Sequence, residues 1–134
     1  MDKKKVIQYF KAQAINGNWA SLYDYNNPIS YSFIQRFIKT VNLMKPLKGS
    51  ILDMGCGTGI MVSVAIENDL KYVGFDAAEE MIEACNKQFK TNVEKGQVKF
   101  YCVDSKDYKS DIPFDYAIGM GYLEYFTNPD DCLN

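Results

Sequence analysis

Histidine is absent from all 134 residues. Its absence removes serine–histidine–aspartate triads, cysteine–histidine dyads, histidine-ligated zinc and the commonest general base. Arginine is scarce as well: Arg36 stands alone among 15 basic residues, and the net charge is −2. A nucleic-acid backbone as main partner would leave a basic footprint, so nucleic acid is set aside. The four cysteines, Cys56, Cys85, Cys102 and Cys132, include no CxxC pair. Zinc and thioredoxin-like chemistry need closely spaced thiols, so free, mostly buried thiols in a reducing compartment are expected. No apolar run approaches the ~20 residues that cross a bilayer. The start, Met1-Asp2-Lys3-Lys4-Lys5, leads into an amphipathic pattern instead of a signal-peptide core. The chain therefore reads as cytoplasmic, with no membrane partner. Any chemistry must rest on a cofactor, on positioning, or on acids, lysines and tyrosines.

What is present suits one folded unit. The chain is 47% hydrophobic and 14% aromatic, enough for a core in a single domain. Residues 3–15 carry Val6, Ile7, Phe10 and Ala14 near one face and read as a helix, stopped by Asn16-Gly17-Asn18. A tyrosine-rich connector runs from Trp19 to Asn27. A second helix is predicted to start at Asn27-Pro28, asparagine capping and proline in the first turn. Its stripe is Phe33, Ile34, Phe37, Ile38, Val41 and Met44, closed by Pro46.

From Gly49 the rhythm changes to short strands and helices in alternation. Strands are predicted at Ser50–Met54, Tyr72–Phe75, Val98–Val103 and Phe114–Met120, with helices at Thr58–Glu67 and Ala78–Lys90. Such alternation implies βαβ units: a Rossmann-like, doubly wound parallel sheet with helices on both faces, here an α/β fold preceded by helices.

The informative stretch is Asp53-Met54-Gly55-Cys56-Gly57-Thr58-Gly59, which leaves a strand, turns on glycines and enters a helix. Glycines there let backbone approach a ligand and adopt positive φ. A nucleotide cofactor is the expected guest at the carboxyl ends of such strands. The dinucleotide fingerprint is G-x-G-x-x-G with an apolar residue ahead of it. Here the pattern is D-x-G-x-G-x-G, and an acid in that place suits a cofactor carrying an ammonium and a sulfonium better than a pyrophosphate.

The pattern resembles motif I of the class I S-adenosylmethionine-dependent methyltransferases. Three further stretches resemble the family in order. Val73-Gly74-Phe75-Asp76-Ala77 ends the second strand, Val98 to Asp104-Ser105 resembles motif III, and Phe114 to Tyr125 resembles motif IV. The resemblance implies S-adenosyl-L-methionine as cofactor, held by Arg36, Asp53, Gly55, Cys56, Gly57, Asp76, Ala77, Met81, Asp104, Ser105 and Met120. In it Asp76 takes the ribose hydroxyls, Met81 covers the adenine, Asp104 and Ser105 lie beside the adenine amine, and Met120 lines the methyl-transfer site. Arg36 would reach the cofactor carboxylate with its planar fork. Asp53 would act indirectly, through the loop; Cys56 is read as a small filler residue, Asp115 as structural, and the cluster of Tyr23, Tyr25 and Tyr31 as packing.

The N/D-P-P-Y/F quartet of amino-methyltransferases is replaced by Gly119-Met120-Gly121-Tyr122, which with the acidic balance leaves a small-molecule or protein acceptor ahead of nucleic acid, a small-molecule methyl acceptor being the one expected. No catalytic residue is assigned; Glu124, Tyr125 and Tyr25 are the available bases, and no metal is expected. Two other readings stand beside this one: a cofactor-binding fragment without turnover, and an NAD(P)-dependent oxidoreductase, which the glycine spacing disfavours. The family sheet has seven strands, and only four are predicted here. The resemblance therefore implies an N-terminal helical cap over 1–48 and the cofactor-binding half of the domain over 49–134. Strand four would be an open edge inviting self-association.

Overall fold

The computed structural model describes residues 21–24 and 26–126, together with the single positions 8 and 128. Apart from Gln8, the helix expected over 3–15 and its stop, Trp19, Tyr25, Pro129-Asp130-Asp131 and Cys132 lie outside the described residues.

The helix that follows Asn27-Pro28 shows why its start is legible. The Asn27 side chain accepts the Ile29 N–H at 3.1 Å, and Pro28 brings no N–H that would go unmet. A 3-10 turn, Pro28–Ser30, leads into helix α1, Tyr31–Leu43. Ile34 is buried, Phe37 and Val41 pack at the core margin, and Ile38 is left exposed.

Four strands follow: β1 (Ser50–Met54), β2 (Lys71–Asp76), β3 (Val98–Cys102) and β4 (Tyr116–Ile118). Between them lie α2 (Val62–Glu67), α3 (Glu79–Gln88) and α4 (Lys90–Glu94). All strand pairs are parallel, in the order β3-β2-β1-β4. The chain steps outward from β1 through β2 to β3, then returns to the other side of β1. That reversal opens a crevice at the carboxyl ends of β1 and β4, the usual ligand position in open α/β sheets.

Register puts Ile51, Tyr72 and Val98 side by side, and Ile118 lies beside Asp53 on the same face. Against them pack Met44, Val62, Val64, Ala65 and Leu70, with Phe37, Val41, Phe89 and Val93 at the margin. On the opposite face Leu52, Met54 and Val73 are half-buried and Tyr101 is 45% exposed. The alternation of side chains along a strand explains the difference. Among the described residues, the core of α1, α2 and the α3–α4 junction gathers on one side of the sheet.

Two ties complete the frame. The Asp115 carboxylate accepts from both the N–H and the Oγ of Ser50, at 2.8 and 3.0 Å, clasping the start of β4 to the start of β1. The Tyr116 hydroxyl donates to the Pro46 carbonyl beside it. The predicted helix Ala78–Lys90 is divided at Phe89, whose backbone leaves helical values (φ −107, ψ 25) while its ring packs on Phe100 at 6.1 Å. Among the described residues no helix is long and apolar enough to cross a membrane.

Candidate functional site

The glycine turn is built from three left-handed positions, Gly55 (φ +68), Gly57 (φ +53) and Gly59 (φ +77). Only glycine takes these values cheaply, which is why they fall on this spacing. Gly55 and Cys56 both donate their N–H to the Phe75 carbonyl, at 2.9 and 3.0 Å, so the turn hangs from the end of β2. Gly59 then donates to Cys56 and Val62 to Gly59, and these turns delay α2 until Val62. The three glycines do different work. A Cβ on Gly59 would lie 3.0 Å from both Phe89 and Val62, so Gly59 faces packing. A Cβ on Gly55 would lie 2.6 Å from Cδ2 of Tyr122, whose ring therefore rests on the turn.

Asp53 is only 2% exposed, and its Oδ2 accepts the Tyr72 hydroxyl at 2.7 Å. Burial pushes its carboxyl up to about 7; the Tyr72 bond works against the shift and the Asp76 charge adds to it. Tyr72 in turn is held well above its ordinary value, first by burial and then by Asp53. Asp53 thus lies beneath the turn, bonded to a tyrosine of the next strand.

Asp76 ends β2 and joins two elements. Its Oδ2 accepts the Gly57 N–H at 3.0 Å, and its Oδ1 accepts the Ala78 N–H at 2.9 Å, immediately before α3. Burial raises its pKa, opposed by the N–H groups of Ala78, Gly57 and Ala77. Met81, one turn into α3, is fully buried.

The Cys56 and Cys85 thiols are both buried around the Gly57 carbonyl, which Cys85 meets at 3.2 Å and Cys56 at 3.9 Å. Cys85 bonding, followed by burial, holds the Cys56 thiol well above the usual range. Cys102, by contrast, is exposed.

Asp104 and Ser105 form a local turn. Asp104 Oδ1 accepts from the Lys106 N–H at 3.2 Å and from Ser105 Oγ at 3.3 Å, capping a 3-10 turn, Ser105–Asp107. After β4 the chain passes Met120 and Gly121 (φ +66) to Tyr122. Arg36 reaches this exit from α1: its guanidinium stacks over Phe33 at 5.0 Å, and a Cβ on Gly121 would lie 2.6 Å from one of its terminal nitrogens. Among the described residues, the buried Arg36 Nε has no hydrogen-bond partner. Tyr23 bonds to the same guanidinium, which opposes the rise that burial imposes on its hydroxyl.

Of the residues predicted for the site, Asp53, Gly55, Cys56 and Met120 line one cavity of about 20 Å³, with Tyr23, Thr58 and Ile60. Gly57, Asp76 and Ala77 adjoin it through the bonds above, and Arg36 flanks it through Tyr23. Asp104 and Ser105 are engaged in their own turn. Two residues escaped the sequence reading, Tyr72 as partner of Asp53 and Tyr122 as cover of Gly55. A groove of about 340 Å³ between α1 and α2 is larger, but it reaches Glu67 and Asn68 at the far end of α2, away from the carboxyl ends of the strands. Among the described residues no cluster of three or more acids and cysteines could hold a metal ion.

A four-stranded parallel sheet with a glycine turn at its switch point defines a Rossmann-like nucleotide-site fold. The family model described as "Methyltransferase domain" matches residues 51–134, and the chain belongs to that family. It is similar to a malonyl-[acyl-carrier protein] O-methyltransferase of Acetivibrio thermocellus, 24% identical over all of this chain and 44% of that protein. It is 38% identical over 83 residues to O-methyltransferase rstn1 of Aspergillus nomiae, covering 60% of this chain and 36% of that one. Among solved structures, a SAM-dependent methyltransferase from Thiobacillus denitrificans in complex with S-adenosyl-L-homocysteine superposes with a TM-score of 0.54. It is 25% identical, covering 63% of this chain and 35% of that one. The putative methyltransferase complexed with the Trm112 activator of Haloferax volcanii gives a TM-score of 0.71 at 19% identity, over 92% of this chain and 52% of that one, a likeness of fold. The chain spans less than half the length of the curated relatives it matches, 36–49%.

Proposed function

We propose that the protein is an S-adenosylmethionine-dependent methyltransferase, or the cofactor-binding half of one, acting on the oxygen of a small molecule. The observation that carries this is the Asp76 carboxylate at the end of β2, tied to Gly57 of the turn and to the entry of α3. A carboxylate has about four acceptor positions, so the Gly57 and Ala78 bonds leave Asp76 with acceptor capacity, as a ribose-binding acid requires. The cofactor also fits two other features. Gly55 offers bare backbone beneath Tyr122, and the unmet Arg36 Nε suits a carboxylate of the methionine part. The two relatives named above are O-methyltransferases, which supports oxygen as the acceptor atom.

Bound there, the cofactor would supply a methyl group already activated on sulfur. The chain's own residues supply orientation and dryness. Gly55 and Gly57 present N–H groups and bare Cα atoms, Asp76 fixes the sugar, and Arg36 holds the far carboxylate. Asp53 and Tyr72 support the turn from beneath. Orientation of this kind is worth ~7–11 kcal/mol. A base is needed only for an acceptor that must lose a proton, and Glu124 stands beside Gly121 at the exit of β4.

Residues 49–134 would form the cofactor-binding half and 1–48 its helical cap. A net charge of −2 supports a small-molecule acceptor over nucleic acid. The free thiols Cys56 and Cys85 support a reducing, cytoplasmic setting. Among the described residues β4 pairs only with β1, which supports self-association through that edge. Calorimetry with S-adenosylhomocysteine and with NADH tests the cofactor. Saturable binding of the first is expected, whereas tight NADH binding without a response to S-adenosylhomocysteine would overturn the reading in favour of an oxidoreductase.

A further inference from the structure

Tyr23 forms one wall of the cavity at the glycine turn, with Asp53, Gly55 and Met120 among the others. Its ring packs edge-on against Phe33, the centroids 5.9 Å apart. Its segment is tied to the start of α1, where the buried Ser30 hydroxyl donates to the Ser21 carbonyl at 3.3 Å. The ring is thus held from two sides, and the hydroxyl is the one polar group it carries.

The bond between Tyr23 and Arg36 has one direction. A guanidinium has donors and no acceptor, so Arg36 donates and the Tyr23 oxygen accepts. The phenol keeps its own proton, because burial raises its pKa against the opposing pull of Arg36. That proton remains to be donated onward, from an oxygen that a positive charge already polarises. A second donor stands in the same cluster: the buried Arg36 Nε, unmet among the described residues. Two donors around one positive charge suit an anion with two oxygens. Asp53 on another wall repels an anion, so a carboxylate is drawn to the Tyr23 side. The cavity of about 20 Å³ admits a water-sized group, which is the tip of a ligand and not its nucleoside.

We propose that Tyr23 is a specificity-determining residue of the cofactor site, its hydroxyl donating to the carboxylate of the methionine part while Arg36 supplies the charge. This rests on the S-adenosylmethionine reading of the same cleft. What it adds is discrimination. An adenosine compound without the carboxylate leaves both donors unmet in a buried setting, and the site rejects it for that reason.

Calorimetry with two probes, S-adenosylhomocysteine and its decarboxylated analogue, tests the assignment on the wild type and on Tyr23→Phe. The variant keeps the ring on Phe33 and loses only the hydroxyl. It is expected to bind S-adenosylhomocysteine about tenfold more weakly, the usual worth of a hydrogen bond to a charged group. The decarboxylated analogue is expected to bind both proteins alike. Unchanged affinity of the variant for S-adenosylhomocysteine overturns the assignment, and so does an equal loss on both probes, which is the mark of a structural role. Either result leaves the cofactor reading intact, whereas a wild type that binds no S-adenosylhomocysteine overturns both. If the variant does not fold, a crystal structure of the wild-type complex decides. The Tyr23 hydroxyl within hydrogen-bond distance of the bound carboxylate supports the role, and a hydroxyl turned away from it overturns it.

Discussion

Gly57 donates its N–H to Asp76 across 3.0 Å, joining a left-handed turn to the last residue of the neighbouring strand. The same carboxylate holds the Ala78 N–H, so one side chain sets the spacing between the turn and α3. Replacing Asp76 with Ala leaves two partly buried N–H groups without their acceptor. We expect a stability loss of about 1–3 kcal/mol in urea unfolding and a strong loss of S-adenosylhomocysteine affinity by calorimetry. Asp76→Asn keeps one acceptor oxygen and should fall between. Unchanged affinity in the alanine variant would refute the ribose role.

The Asp53 carboxyl gives stability a definite pH dependence. In an unfolded chain it titrates near ~3.9, and folded it is pushed up to about 7. Between those values the folded state holds a proton that the unfolded chain has released. The associated stability is therefore complete below about pH 4 and is lost as pH rises through about 7. Asp76, also raised, adds to the same slope. Asp53→Asn removes its share, so thermal melts from about pH 5 to about pH 8 should show the variant gaining on the wild type. A gap that stays constant with pH would sink this account.

Tyr72→Phe deletes the donor that meets Asp53 at 2.7 Å and leaves the carboxyl buried with less support. The expected cost is about 1–3 kcal/mol at neutral pH, shrinking under acid conditions as Asp53 becomes protonated. Denaturant titrations at two pH values measure it, and an equal cost at both would count against the pairing.

Gly59 and Gly96 separate backbone cost from packing cost. Both have positive φ, +77 and +73, so alanine at either costs roughly 1–2 kcal/mol in backbone strain. A Cβ at Gly96 meets nothing within 4 Å, whereas at Gly59 it meets Phe89, Val62 and Cys85. Gly59→Ala should therefore lose about 1–3 kcal/mol more than Gly96→Ala. Equal midpoints in urea would contradict the close packing of α3 on the turn.

Thiol accessibility should divide along the same lines. Cys102 is exposed, while Cys56 and Cys85 are buried against the Gly57 carbonyl. Brief treatment with a water-soluble maleimide, mapped by mass spectrometry, is expected to modify Cys102 and spare Cys56 and Cys85 until denaturant is added. Rapid modification of Cys56 in the folded protein would overturn its role as a buried filler.

Much of the fold was legible in the chain because local signals agreed. β1 was bounded by Gly49 and Gly55, and Asn27-Pro28 announced its helix through a cap and a ring that needs no N–H. Three departures have physical causes. The helix expected from Thr58 begins at Val62 because the glycine turn continues through hydrogen-bonded turns at Gly59 and Val62. The apolar rhythm of Ala78–Lys90 runs on through Phe89, where tertiary contact with Phe100 breaks the helix. β4 shrinks from Phe114–Met120 to Tyr116–Ile118, since only those residues reach β1. At the candidate site, the glycines and strand-end acids were visible as types at a spacing. The partnership of Asp53 with Tyr72 depends on parallel register, and the seat of Tyr122 on Gly55 on a return of the chain from β4. Neither is encoded in any short window, although Gly-x-Gly-Tyr directly after a strand marks the second.

The Asp115 clasp on Ser50 bears on the order in which the molecule assembles. It closes a span of 65 residues, whereas β1, β2 and β3 join through shorter crossovers. Closing longer spans costs more chain entropy, and distant contacts slow folding. The three-strand unit is therefore expected to form first and β4 to dock last, bringing Met120 and Tyr122 over a turn already built. On unfolding the reverse order is expected, with β4 peeling away first and the crevice the earliest part of the molecule to come apart.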